Sequence, residues 1–323
     1  MTNTQVMEFI ISQEDIENFN RLDNYLTSKL PDISRTSIKR YFSDGLFKSN
    51  TKIELKKMPQ INTKIIFNPP ELRSTEIVPQ NIPIDFIYQD EHLAIINKAA
   101  GMVVHPAPGN YDNTLVNAIL HHCPDLKGIG DEKRPGIVHR LDKGTTGIMV
   151  FAKDQKTHEG LVKLFSTHDI IRKYESICLG SKLPPEKLLE STIGRNPNNR
   201  LKMMINVKNG KNAITNLKVL EYFKKLSHVE LKLETGRTHQ IRVHLSQLLH
   251  TPILNDSVYG RPKEELQMVS TSIRGIIKDY DHPFLHAKVL GFKHPITKKD
   301  MFFEQSPPKV FKEVIEQLRK ENG

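Results

Sequence analysis

Val229-Glu-Leu-Lys-Leu-Glu-Thr-Gly-Arg-Thr-His-Gln-Ile-Arg-Val-His-Leu245 changes period partway along its 17 residues. Val229, Leu231 and Leu233 alternate with Glu230, Lys232 and Glu234, the period of two that turns one face of a strand inward and the other to water. Gly236 breaks the run, Thr238 is placed to cap a helix, and Ile241, Leu245 and Leu248 return at helical spacing. The same alternation of short strands with single helices extends in both directions. Strand signals lie at Asp85 to Tyr88, Leu93 to Ile96, Gly147 to Ala152 and Tyr174 to Gly180. Asp154 can cap a helix carrying Leu161, Leu164 and Phe165, and the chain ends on one carrying Val310, Phe311, Val314, Ile315 and Leu318. Strands bounded by turns and interrupted by isolated helices define an α+β class with a mainly antiparallel sheet.

Upstream, the composition changes. Residues 21–57 hold nine Lys/Arg against four Asp/Glu, half of the net +10 of the 323-residue chain. Leu22, Tyr25, Leu26 and Leu30 share a helical face. Ser34 can cap a second helix, with Ile38, Tyr41 and Phe42 inward and Arg35, Lys39 and Arg40 outward, ending at Gly45. Lys48 to Leu55 and Lys64 to Phe67 read as strands, completing a small αα-β module. Residues 68–83 then carry four prolines in 16 positions, which favours an extended linker. The expected organisation is a basic domain over residues 1–67 with its core at about 21–67, a linker over 68–83, and a larger domain over 84–323.

Apolar runs far shorter than the ~20 residues of a spanning helix exclude a membrane segment, and the Glu8-interrupted start excludes a secretory signal. A cytoplasmic protein is expected. Cys123 and Cys178 form no C-x-x-C pair, so both read as ordinary thiols. His121 and His122 are adjacent, and His239, His244 and His250 lack H-E-x-x-H spacing, so no metal site is expected. Gly128-Ile129-Gly130 has no leading strand and is followed by Pro135, which makes it a turn rather than a dinucleotide loop. The positive surplus points to an anionic partner, nucleic acid foremost.

Two segments carry chemistry. In His139-Arg140-Leu141-Asp142-Lys143-Gly144-Thr145-Thr146-Gly147 a carboxylate sits on a glycine-bounded turn that feeds an apolar strand. Taken alone, Asp142 could simply cap its own turn through Thr145 or Thr146. In the Thr235 to Leu245 segment, His239, Arg242 and Ser246 share a helix face opposite Ile241, Leu245 and Leu248. By periodicity alone that face could be a solvated one.

Together these segments resemble RNA pseudouridine synthases of the RluA/RluD type, whose hallmark is an H-R-L-D-x-x-T-S-G segment followed by a strand. Asn97-Lys98 with Gly101 to Pro106, Lys173-Tyr174, Ile193-Gly194-Arg195, Gly210-Lys211 with Ala213 and Thr215, Pro252 to Gly260 and His286-Ala287 match in the family's order, from about Ile84 to Pro308. Residues 21–67, beginning Arg21-Leu22-Asp23, resemble the small S-four RNA-binding domain that many members carry. Thr146 stands where the family usually has Ser, Ala99 where it has Pro, and Asn255 where it has Gly.

The resemblance implies isomerisation of uridine in RNA with no cofactor. Asp142 is then the essential carboxylate, Arg242 its basic partner and Tyr174 the ring that stacks on the target base. Arg140 is expected to brace the stack vacated when the base is extruded. Arg237, Thr238, His239 and Gln240 are expected at the RNA backbone or the pocket rim. In the N-terminal domain Arg21, Arg35, Lys39 and Arg40 are the expected RNA contacts. The appended basic module and the segment His105 to Arg134 resemble the members specific for the large ribosomal subunit, so 23S ribosomal RNA and a monomeric enzyme are expected. The alternatives are a transfer RNA pseudouridine synthase and a non-catalytic RNA-binding assembly factor. A carboxylate amid a basic surface speaks against the latter, because it repels phosphate.

Overall fold

The computed structural model describes residues 6–70, 77–107, 109–126, 128–132 and 134–322. The chain divides into two units, Met1–Thr75 and Glu76–Gly323.

In the first unit, β1 (Met7–Ile10), α1 (Gln13–Asn18), α2 (Leu22–Lys29), α3 (Arg35–Ser43), β2 (Phe47–Ser49) and β3 (Lys64–Phe67) follow one another. The three strands form an antiparallel sheet in the order β1-β3-β2. Leu22, Tyr25, Leu26 and Leu30 bury against Ile38, Ile65 and Phe67, as their spacing requires. Ser34 accepts the Ser37 amide and caps α3, which ends before Gly45 at φ +73°. Two expectations need correction. The expected strand from Lys48 to Leu55 is confined to Phe47–Ser49, because the chain turns at Asn50 and Thr51. The core also begins well before residue 21: β1 pairs with β3, Ser12 and Asp15 form a capping box on α1, and Ile11 is fully buried.

The second unit contains β4 (Asp85–Gln89), β5 (Leu93–Lys98), α4 (Leu115–His122), β6 (Thr146–Ala152), α5 (Gln155–Thr167), β7 (Ile170–Leu179), β8 (Glu186–Arg195), β9 (Met203–Ile205), β10 (Lys211–Tyr222), β11 (Leu226–Leu233), α6 (Gln240–Val243), α7 (Pro262–Met268), α8 (Thr271–Ile277), β12 (Leu285–Lys293), β13 (Asp300–Glu304) and α9 (Lys309–Asn322). The strands make one ten-stranded sheet in the order β4-β5-β6-β12-β7-β11-β10-β8-β9, with β13 on β12. All pairings are antiparallel except β6 with β12. The fold is therefore α+β on a mainly antiparallel sheet.

The middle of this sheet is covered on both faces, which explains why every residue of β6 is buried. Ala94, Ile96, Met149 and Phe151 belong to the core that includes residues of α4, α8 and α9, whereas Leu93, Ile95, Ile148 and Val150 belong to a second core with Leu161 of α5. The parallel β6–β12 contact is tight at Gly147, where a Cβ would lie 2.2 Å from the Ala287 carbonyl oxygen and φ is +113°. Only glycine fits there. Ile77 to Pro83, expected as free linker, lies along the second unit: Ile77 joins its core, Asn117 donates to the Val78 carbonyl, and the Gln80 amide donates to the Asn117 carbonyl. Residues 71–76 of the expected linker lie outside the described residues. Among the described residues no helix is long and apolar enough to cross a membrane.

Candidate active site

A cavity of about 440 Å³ opens beside the β6 entry turn and is closed by β7, the end of β11 and the start of α6. That is enough for a single nucleoside. Asp142, Tyr174, Arg242, Arg140, Arg237, Thr238, His239 and Gln240 all line it.

Asp142 does not cap its own turn through its side chain. Its backbone carbonyl accepts the Thr145 amide at 3.1 Å, and its carboxylate accepts from Arg242 Nη1 at 3.1 Å. The loop carrying it is tied from below by Lys98, at the end of β5. Lys98 is 1% exposed, and its ammonium donates to the carbonyls of Ala99, Met102 and Lys143 at 2.8, 2.9 and 3.3 Å. Burial pushes its pKa down to about 7, with the Asp142 charge opposing.

Arg242 is 7% exposed, so the polar helix face is turned inward rather than solvated. Its guanidinium grips Asp256 as a fork, Nε to Oδ2 at 2.7 Å and Nη2 to Oδ1 at 2.8 Å, leaving Nη1 for Asp142. Burial pulls the Arg242 pKa down, but the two carboxylates outweigh it and its charge is secure. Asp256 is buried, and its Oδ1 also accepts the Val258 and Tyr259 amides at 2.9 and 3.1 Å. Burial pushes that carboxyl up, yet the fork and the amides together hold it below its ordinary value. Asn255 before it adopts φ +65°, a conformation asparagine tolerates in place of glycine. The Tyr259 ring lies 5.1 Å from the guanidinium carbon.

Tyr174 lies in β7 with its ring at the cavity wall, and burial pushes its hydroxyl up to about 12. Leu141, Leu233, Ile241 and Leu285 complete an apolar floor around it. Arg140 is exposed at the mouth.

The expected cap at Thr238 is not formed. His239, at φ +56°, stands at the N-cap of α6 without a side-chain cap bond, and Thr238 is exposed. His239 Nδ1 is 2.8 Å from the Tyr259 hydroxyl, and its Nε2 is 3.8 Å from Asp142. Gln240 is 3% exposed and its amide is committed within the protein. It accepts from Thr235 Oγ1 and the Arg237 amide at 2.8 and 3.0 Å, and donates to the Ile214 carbonyl and Thr215 Oγ1 at 3.0 and 2.9 Å. What Gln240 gives the cavity is a fixed Arg237 turn, and Arg237 Nε donates to the Asn212 carbonyl at 2.8 Å.

The N-terminal cations fall into two kinds. Arg21 and Arg35 both bond Asp23, at 3.0 and 2.9 Å, and Asp23 is held down to about 2, first by the Arg21 hydrogen bond. Lys39 and Arg40 stand exposed on α3.

Sequence reasoning assigned no role to Asp256, Tyr259, Lys98 or His139. Lys98 carries a weak signal, since it closes the apolar run Leu93 to Ile96 in a strand whose other residues are nearly all buried. His139 Nε2 accepts the Val150 amide at 3.1 Å, and its ring stacks on Phe165 at 4.6 Å. Burial pushes this imidazole down to about 3, so it serves as a neutral acceptor that pins the turn to β6.

The cavity thus holds a carboxylate bonded by a buried arginine, with a tyrosine in the same lining, on a mainly antiparallel sheet. The family profile described as RNA pseudouridylate synthase matches residues 92–247. The chain is 41% identical to a ribosomal large subunit pseudouridine synthase D of Zymomonas mobilis, over 89% of this chain and 90% of that protein. It is 37% identical to an uncharacterised RNA pseudouridine synthase of Bacillus subtilis, over 97% of this chain and 98% of that one. Among solved structures it resembles human RNA pseudouridylate synthase domain containing 4, with a TM-score of 0.57 and 28% identity over 73% of this chain and 93% of that one. The chain belongs to the RNA pseudouridylate synthase family. It is an RNA pseudouridine synthase, an isomerase that acts on uridine in RNA.

Proposed function

We propose that this enzyme isomerises uridine in the RNA of the large ribosomal subunit, with Asp142 as the essential carboxylate. The observation that carries the assignment of Asp142 is that it is the one carboxylate among the residues lining the cavity, 3.1 Å from a buried arginine. The isomerisation breaks the bond between N1 and the ribose, joins C5 to the ribose instead, releases the C5 hydrogen as a proton to solvent and leaves N1 carrying a proton taken up in its place. A carboxylate can serve such a reaction as nucleophile or base only if its charge is balanced once RNA covers it. Arg242 supplies that balance and, through Asp256, cannot swing away. Tyr174 and the apolar floor offer the extruded uracil a face to stack on. Extrusion costs a few kcal/mol, and Arg140 at the mouth is positioned to fill the space the base leaves. Arg237, Thr238 and His239 lie along the rim, where the backbone of the extruded nucleotide must pass.

The large-subunit assignment rests on the relatives named for the large ribosomal subunit and on the basic first unit. In a cytoplasmic, monomeric enzyme that unit acts as an S-four-like RNA anchor, with Lys39 and Arg40 on phosphate and Arg21 and Arg35 shaping the surface around Asp23. Replacing both Lys39 and Arg40 by Gln is expected to weaken RNA binding about tenfold and to reduce the slope of log affinity against log salt by about 1.5, two phosphate contacts' worth. Unchanged affinity in a filter-binding titration across salt would remove α3 from the RNA surface.

The testing experiment labels unmodified large-subunit ribosomal RNA and bulk transfer RNA with tritium at uridine C5 and follows its release. Release from the ribosomal RNA alone is expected. Release from transfer RNA alone would overturn the substrate assignment, and tight binding without release from either RNA or from assembly intermediates would overturn the catalytic one.

A further inference from the structure

Arg172 is a buried cation that the proposed chemistry leaves unused. It stands two positions before Tyr174 in β7, so the strand's alternation puts both side chains on the cavity face, and both line the cavity. Its residue is 6% exposed. Among the described residues its side chain makes one hydrogen bond, from Nη2 to the Glu234 carbonyl at 2.9 Å, and Nε has no partner. The carboxylates nearby are engaged elsewhere: that of Glu234 with Asn216 and Lys232, that of Asp142 with Arg242. The guanidinium carbon lies 5.5 Å from the centre of the Phe165 ring, which also stacks on His139. A guanidinium fixed this way, with most of its five N–H groups unspent, lacks only an acceptor. Burying such a charge without an anion is unfavourable unless a ligand supplies one.

Gly236 shows where that anion enters. Its φ lies outside the left-handed region, so the backbone does not demand glycine there. A Cβ at 236 would nevertheless lie 2.8 Å from Arg172 Nη1, and Gly236 itself is exposed. The missing side chain leaves a path from solvent to the guanidinium. Uracil is neutral; the anions of RNA are its phosphates.

We propose that Arg172 binds the phosphate adjoining the extruded uridine, reached over Gly236, so that one wall of the cavity holds the backbone while Tyr174 holds the base. The proposal rests on the function proposed above. It makes Arg172 a binding and positioning residue that fixes how far the nucleotide enters.

The test uses the full-length enzyme and an oligonucleotide around a uridine mapped by tritium release, with a neutral methylphosphonate replacing the phosphate on one side or the other of that uridine. Arg172→Gln is expected to raise KM about 10- to 100-fold, the scale of one charge-assisted hydrogen bond, with a much smaller change in kcat. Its salt slope should fall by about 0.7–0.9. Arg172→Lys should recover part of the KM, and Gly236→Ala should reproduce part of the defect. One neutral linkage should weaken wild-type binding to a similar extent and add nothing further in Arg172→Gln. If the penalties of variant and neutral linkage add in full, or if KM and salt slope stay at wild-type values, the phosphate contact is refuted. Should thermal melts show Arg172→Gln unfolded, the same cycle with Arg172→Lys and Gly236→Ala decides. Wild-type tritium release on the same oligonucleotide separates the two levels: turnover without coupling refutes only the Arg172 contact, whereas no turnover refutes the function beneath it.

Discussion

Asp142→Asn is expected to fold and bind RNA as the wild type does while losing at least about ten-thousand-fold of its turnover. The loop around residue 142 is held by bonds the substitution leaves intact: the Thr145 amide on the Asp142 carbonyl, and the Gly101 amide and the Lys98 ammonium on the Lys143 carbonyl. The side chain of residue 142 is 15% exposed, and Asn keeps an oxygen to accept from Arg242 Nη1. Arg242 also retains its fork on Asp256, so the change in stability should stay below about 1 kcal/mol. The amide has neither the negative charge nor the basicity of the carboxylate, so an attacking or proton-accepting role is lost outright. Thermal melts, filter binding and tritium release on one preparation separate these effects. Turnover within tenfold of wild type would show that another group performs the chemistry.

Arg242→Met is expected to damage both the fold and the reaction. Asp256 is fully buried, and Arg242 is its cationic partner. Removing one member of a buried pair typically costs about 3–5 kcal/mol, because the other charge is left uncompensated. Asp142 loses its partner in the same step, and a further loss of at least about a hundredfold in turnover is expected from whatever protein remains folded.

The pH dependence carries the signature of this cause. In the wild type the Asp256 carboxyl lies below its ordinary value, so its contribution is present above the unfolded carboxylate range and is lost as pH falls through the folded value. Without Arg242, burial is opposed mainly by the Val258 and Tyr259 amides, so that carboxyl rises from its wild-type value and the penalty grows as pH rises through the shifted value. The stability deficit of Arg242→Met relative to wild type should therefore be larger in urea melts at pH 7 than at pH 5. Arg242→Lys should fall between the two proteins, because a point charge cannot reproduce the fork on Asp256 while reaching Asp142. Equal deficits at both pH values would show that Asp256 is not the group being uncovered.

Much of this molecule can be read from neighbouring residues. Ser34 and Asp154 cap α3 and α5 as their positions imply, each accepting the amide three residues on. The alternation from Val229 to Leu233 is a strand of one buried and one more open face, and the last helix buries the expected Phe311, Val314, Ile315 and Leu318. Caps, alternation and glycine turns act over a few residues, so a linear pattern records them. Misreadings arose where a local signal competed with a distant one. Thr238 is a good capping residue, but the left-handed turn at His239 and the four bonds of Gln240 set the start of α6 instead. Ile77 to Pro83 has linker composition, but it meets α4 and stays there.

The resemblance carried by short motifs was enough to name the class and to nominate Asp142, Tyr174 and Arg242. Their relation in space was not legible. Asp142 and Arg242 lie 100 positions apart and meet because β6, β12, β7 and β11 are laid side by side in that order. On periodicity alone, Arg242 and Ser246 on one helical stripe read better as a solvated face. Only the packed structure shows the guanidinium buried between two carboxylates, and Arg172 buried without an ion pair among the described residues. The physical reason is that a side chain's periodicity is set by its own backbone, whereas its burial and charge partners are set by whichever strands the sheet places against it.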